Sequence, residues 1–120
     1  MMSFTIKRCA GFIILITSLL AGCAHNQPPL YYWGHYQEEV YDHLKSESAD
    51  PNKQIAILEA DIQKAHAKNQ ALPPGYYAHL GLLYAQLGKD DQAQQQFETE
   101  KTLFPESANF MNFLMRNHKK

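Results

Sequence analysis

The stretch from Pro74 to Pro105 constrains this chain more than any other. Tyr77, Leu80 and Tyr84 recur at helical spacing, so their side chains share one face. Gly88 then stands where a helix ends in a left-handed residue. Asp90 or Asp91 suits the N-cap of a second helix. That helix carries Phe97 and stops near Phe104-Pro105, because proline cannot extend it. Gly81 and Ala93 are small, which lets two facing helices approach closely, while Tyr77, Leu80, Tyr84 and Phe97 fill the space between them. The pattern predicts a helical hairpin over residues 74–107.

The set Pro74, Tyr77, Leu80, Gly81, Tyr84, Gly88, Ala93, Phe97 and Pro105 resembles a tetratricopeptide repeat. Glu100 departs from it, standing where the repeat usually has a small residue. In such repeats the inner face of the first helix usually binds a partner segment. The resemblance places Gly75, Ala78, Leu82, Ala85 and Gln86 there, a small and mostly apolar set that suits a helix or extended peptide with apolar anchors. Two readings stand: an open surface, or a face already covered by the first or fifth helix of the chain.

One repeat cannot bury its own apolar face, so the flanking sequence must supply more helix. Beyond residue 22 strand formers are scarce, with Val40 the one valine, and alanine and glutamine are abundant. A first helix is expected over 31–46, with Trp33, Tyr36, Val40 and Leu44 on one face. Asp50-Pro51 reads as an N-cap followed by proline in the first turn. The second helix runs to about Lys68, with Ile55, Leu58, Ile62 and Ala65 inward, and Leu72-Pro73-Pro74-Gly75 turns the chain. Ser107 is the expected cap of a fifth helix bearing Phe110, Phe113 and Leu114 on one face, with Met111 and Met115 beside it. The fold expected is all-α: a short array of two helical hairpins plus a C-terminal capping helix, over residues 31–120, with the first hairpin a degenerate repeat.

Residues 1–22 read as a secretory signal. Lys7 and Arg8 form the positive start, and the uncharged run from Ala10 to Ala21 is too short for a comfortable membrane span. Leu20-Ala21-Gly22-Cys23 resembles a bacterial lipobox. The resemblance implies diacylglycerol, palmitate-type acylation and cleavage at Cys23, with anchoring by the covalent lipid and no other cofactor. An ordinary signal peptide or an anchor helix with a chance cysteine is the competing reading. Ala24 follows the cysteine in place of the aspartate that marks inner-membrane retention, so the resemblance implies an outer-membrane lipoprotein, expected on the periplasmic face. Residues 23–30 would be the lipidated tether, with Pro28-Pro29 extended. Cys9 leaves with the signal, and the mature chain then holds no free thiol.

Several longer strings resemble a family of small Gram-negative lipoproteins of unknown function. They are Tyr32-Trp33-Gly34-His35-Tyr36, Pro73-Pro74-Gly75, Ala78-His79-Leu80-Gly81-Leu82-Leu83-Tyr84, Phe97-Glu98-Thr99-Glu100-Lys101, Phe104-Pro105-Glu106-Ser107 and Phe110-Met111. Members are often encoded beside a lipoprotein resembling the curli secretion pore. The resemblance implies an envelope assembly partnership and no known reaction.

The residues themselves offer little chemistry. Without Lys7 and Arg8 the chain carries 9 basic against 12 acidic residues, so nothing favours nucleic acid. The six histidines are scattered and His-Glu-x-x-His is absent, so no metal site is expected. Glu38-Glu39 suits the dipole of the first helix, and no catalytic constellation is visible. His79 reads as a buried imidazole bonded to a carbonyl, with a pH sensor as the sharper reading. The cluster Tyr31-Tyr32-Trp33 and Tyr36 admits three roles: core packing, a contact surface, or the lipid headgroup zone. The expected function is a non-catalytic adaptor in an envelope or secretion complex, with Trp33, Tyr36, Ala78, Leu82 and Gln86 as partner surface. An envelope enzyme and a carrier of a small apolar ligand are the alternatives.

Overall fold

The computed structural model describes residues 28–46 and 49–118. The expected signal segment and Cys23 lie outside the described residues. Among those described are five α-helices and no strand: α1 Tyr36–Lys45, α2 Pro51–Ala67, α3 Tyr76–Gln86, α4 Asp90–Leu103 and α5 Ala108–His118. A bridge joins Tyr31 to Ala71. The protein is all-α, as the sequence indicates. No described helix is long and apolar enough to cross a membrane.

The first helix starts later than its periodicity suggests. Gly34 has φ +46°, which no right-handed helix accommodates, so residues 31–35 form an extended arm and a turn. The arm is held by the Tyr32 N–H, which donates to the Ala71 carbonyl at 2.8 Å. The expected apolar face is also corrected. Leu44 points to solvent, whereas Glu39 is buried and Tyr36 meets α3.

Helix α2 forms as expected. Asp50 accepts the Asn52 N–H at 2.9 Å and Pro51 opens the first turn. Ile55, Leu58 and Ala65 are buried, and Ile62 packs at the core edge. Asn69 takes a left-handed φ of +52°; its N–H donates to the His66 carbonyl and the Gln70 N–H to the Ala65 carbonyl. Helix α3 ends the same way at Gly88, φ +68°, with Gly88 N–H on Ala85 O and Lys89 N–H on Tyr84 O.

The α3–α4 hairpin is the densest part of the core. Tyr76, Leu80, Leu83, Tyr84, Ala93 and Phe97 are buried. Gly81 lies against the Phe97 ring so closely that a Cβ would sit 2.5 Å from its Cε1. Capping at α4 differs from expectation. Lys89 is the N-cap residue without a side-chain bond, and Asp90 and Asp91 lie in the first turn, where they complement the helix dipole instead.

Two expectations for the C-terminal helix are corrected. Pro105–Ser107 forms a 3-10 turn, and Ser107 Oγ donates back to the Phe104 carbonyl at 2.7 Å instead of capping α5. Met111 and Leu114 face the core, while Phe110 and Phe113 face outward. The inward register of α5 is therefore one residue off the aromatic stripe.

Candidate interaction surface

Each hairpin is pinned at its entrance by one buried carboxylate from its second helix. In the first, Asp61 on α2 accepts the His35 N–H at 2.6 Å. The His35 Nδ1 lies 2.9 Å from the same oxygen, and Lys64 Nζ donates to the other at 3.0 Å. Burial alone would raise the Asp61 carboxyl. The His35 N–H, the Lys64 ammonium and the His35 ring outweigh it and hold the group below the ordinary carboxylate range. In the second hairpin Glu100 on α4 accepts the Gly75 N–H at 2.6 Å and the Ala78 N–H at 3.4 Å. Both anions sit at helix N-termini, where unpaired N–H groups point outward.

The backbone around the two clamps also corresponds. Tyr36 N–H donates to Trp33 O and Glu39 N–H to His35 O. In the second hairpin Tyr76 N–H donates to Pro73 O and His79 N–H to Gly75 O. The spacing between these pairs, from 36 to 76 and from 39 to 79, is the same. The two hairpins thus close their entrances with the same backbone hydrogen bonds, although the turns are of opposite hand: Gly34 at φ +46° precedes His35 at −92° in the first, whereas Gly75 at φ +89° follows Pro74 in the second.

Helix α1 lies over α3 through rings. Tyr36 meets Tyr76 with centroids 5.0 Å apart, and His43 meets His79 edge-on at 5.1 Å. Burial, with Glu100 adding its charge, raises the Tyr36 hydroxyl above its usual range, and Tyr77 is raised for the same two reasons. Burial and then the neighbouring His43 lower His79 to about 4, so the ring is neutral. Its Nε2 is buried without a partner, which overturns the expected bond to a carbonyl. Tyr84 donates to Glu59 on α2; burial first and that carboxylate second push its hydroxyl up to about 12. Tyr76 donates to the Leu58 carbonyl at 2.9 Å.

The residues read as scaffold and those read as partner surface are sorted differently. Leu80, Gly81, Tyr84, Ala93 and Phe97 are buried together around the α3–α4 contact, Tyr77 packs at its edge, and Gly88 makes its turn. Pro105 begins the 3-10 turn that ends α4. Of the partner set, Ala78 is buried and Tyr36 is half-buried between Trp33 and Tyr76. Leu82 is partly buried, Gln86 is exposed and Trp33 is 42% exposed. These five do not form one open surface. Asp61, Glu59 and Glu39 carry structural roles or burial that spacing alone did not single out; Asp61 falls in the inward register of α2, between Leu58 and Ala65, and that was its signal.

Open apolar surface lies elsewhere. Phe110 and Phe113 on α5 are 57% and 50% exposed and stack with centroids 6.4 Å apart. A groove of about 420 Å³ runs between α4 and the end of α5, where Phe97 and His118 stack. A second groove of about 300 Å³ lies between the N-terminal arm, the end of α2 and the end of α4. Among the described residues no three His, Cys, Asp or Glu side chains cluster as a metal site would require.

No curated protein and no solved structure matches this chain. A family model does match, over residues 30–114, which spans both clamps, the α3–α4 hairpin and the inward face of α5. The chain belongs to the family described as a domain of unknown function, DUF4810.

Proposed function

We propose that this protein is an outer-membrane lipoprotein, anchored through acylated Cys23 and facing the periplasm, whose tetratricopeptide-like helical array serves as a non-catalytic adaptor. Its partner would be another envelope protein, for which a secretion-pore-like lipoprotein is the leading candidate. The lipobox Leu20-Ala21-Gly22-Cys23 supports the address. The equally spaced entrance hydrogen bonds of the two hairpins support the repeat reading, including the first hairpin, although the turns that carry them differ in hand.

One observation carries the adaptor role. A helix that merely closes an array shows water a polar outer face. Helix α5 instead shows a stacked Phe110–Phe113 pair. Large exposed apolar groups of this kind anchor protein interfaces. The array then continues onto a partner helix or segment laid against α5.

The test is affinity capture of the lipid-anchored protein from mild-detergent envelope extract, with a C-terminal tag and mass spectrometry of what co-elutes. A stoichiometric envelope partner that is lost from a Phe110→Ser, Phe113→Ser variant supports the reading. Recovery of the protein alone, under conditions that preserve other envelope complexes, sinks it.

A further inference from the structure

The N-terminal arm and the end of α4 form a second apolar patch, distinct from the α5 face. Leu30 is 78% exposed, Trp33 42% and Leu103 54%. Tyr31 links Trp33 and Leu103: its ring meets Trp33 edge-on at 6.4 Å, and it lines the same groove as Leu103 and Phe104, while Leu30 precedes it in the chain. His66, near the end of α2, lines the groove, Lys64 lies one turn before the helix end, and Lys68 follows the helix as its C-cap. Lys64 is balanced by Asp61, and Lys68 lies over the Tyr32 ring at 4.8 Å. The patch is therefore Leu, Trp and Tyr with a cationic edge. That is the composition that favours a membrane–water interface carrying anionic headgroups.

Its place in the chain points to the same occupant. Leu30 is seven residues beyond Cys23, a reach of roughly 25 Å when fully extended. A patch on such a leash stays within about 25 Å of the bilayer surface, so it meets the headgroups at high effective concentration. We propose that this face rests on the lipid headgroup layer, with Leu30, Trp33 and Leu103 at the acyl boundary and Lys68 on a phosphate. This rests on the acylation of Cys23 proposed above. The contact fixes the orientation of the domain. It turns the clamped α1 turn toward the membrane and leaves the α5 face free for a protein.

Trp33 is the one tryptophan in the chain, so its fluorescence reports this contact alone. The lipidated protein would be reconstituted in vesicles of phosphatidylethanolamine and phosphatidylglycerol, with and without bromine on the acyl chains. Intact mass measured in parallel reads the lipid on Cys23. The expected result is bromolipid quenching of Trp33 by about twofold or more, as for an interfacial ring. Leu103→Asp and Lys68→Glu, both at exposed positions, should each cut that quenching by about half while the far-ultraviolet spectrum stays unchanged. A lipidated protein whose Trp33 is unquenched and open to acrylamide overturns the headgroup contact and leaves the anchor intact. An unacylated Cys23 overturns both. Trp33 shielded in native envelopes but not on pure lipid would assign the patch to a protein and also overturn the contact.

Discussion

The Gly75 N–H, at the start of α3, donates to the Glu100 carboxylate on α4 at 2.6 Å. Gly75 has φ +89° and no side chain, so it cannot cap its own helix. Glu100 supplies the missing acceptor from the neighbouring helix, at 1% exposure. The residue that departs from the repeat pattern is thus the one that closes the hairpin. A small residue there would leave the first turn of α3 without its anion.

Replacing Glu100 should therefore cost more than an average substitution and about as much as truncating a core side chain. Glu100→Ala leaves the part-buried Gly75 N–H and the buried Ala78 N–H without the carboxylate, a loss of about 2–4 kcal/mol. That corresponds to roughly 10 °C or more in a domain of this size. Glu100→Gln keeps an oxygen acceptor and should lose about half as much. Thermal melts followed by circular dichroism check both, and equal melting of Glu100→Ala and the parent would refute the clamp.

Asp61 gives the same prediction at the other hairpin, with a backbone test added. A Cβ at Gly34 would meet the Asp61 Oδ2 atom at 2.2 Å, and φ +46° is already strained for other residues. Gly34→Ala should destabilise by about 2 kcal/mol or more. The clash with Asp61 vanishes in Gly34→Ala with Asp61→Ala, leaving only the approach to Tyr32 Cε1 at 2.9 Å, so the double variant should be less unstable than the sum of the singles. Additivity within error would show that the two residues do not meet.

Acid should unfold the domain in two stages. His79 has its pKa lowered to about 4 from 6.5, so the unfolded chain binds the proton first. Stability from this group is complete above pH 6.5 and is lost as pH falls toward 4, by up to about 3 kcal/mol. Asp61 is lowered from 3.8, so its contribution is complete above that value and is lost only below it. His79→Phe should flatten the stability curve between pH 6.5 and 4 and leave the fall below pH 4 in place. Urea melts at half-unit pH intervals resolve the two windows, and an unchanged upper limb in His79→Phe would rule out the buried ring as its cause.

The sequence made the α3–α4 hairpin readable because every cue there agreed: helical spacing, a glycine stop, small residues at the contact and a terminal proline. It also located α2, through Asp50-Pro51 and the inward Ile55, Leu58 and Ala65. It misread α1, because Trp33 shares the period of Tyr36 and Val40, while the break at Gly34 depends on Asp61 far along the chain. It misread the outer face of α5 for a related reason. Spacing identifies an apolar stripe but not which stripe meets the core, and here Met111 and Leu114 won over Phe110 and Phe113. Analogy with long arrays points to the inner face of α3 as a partner surface; in this short one Ala78 is buried, and Glu100 reaches its N–H.

Gly81 and Phe97 test the hairpin most directly. The Gly81 Cα faces the ring edge, and an added Cβ would lie 2.5, 2.7 and 3.1 Å from three Phe97 carbons. Phe97 is fully buried, and its ring can yield only toward the groove it lines beside His118. Gly81→Ala must then push the helices apart or twist the ring, at about 1–3 kcal/mol, and Gly81→Leu should cost more. Phe97→Leu alone should lose about 1–2 kcal/mol from reduced apolar burial. In the double variant Gly81→Ala with Phe97→Leu, the methyl enters space the ring has vacated, so the combined loss should fall short of the sum by about 1 kcal/mol. Denaturant midpoints for the four proteins measure that coupling. A coupling of zero would mean the helices approach somewhere other than Gly81, and the close-packed hairpin would have to be redrawn.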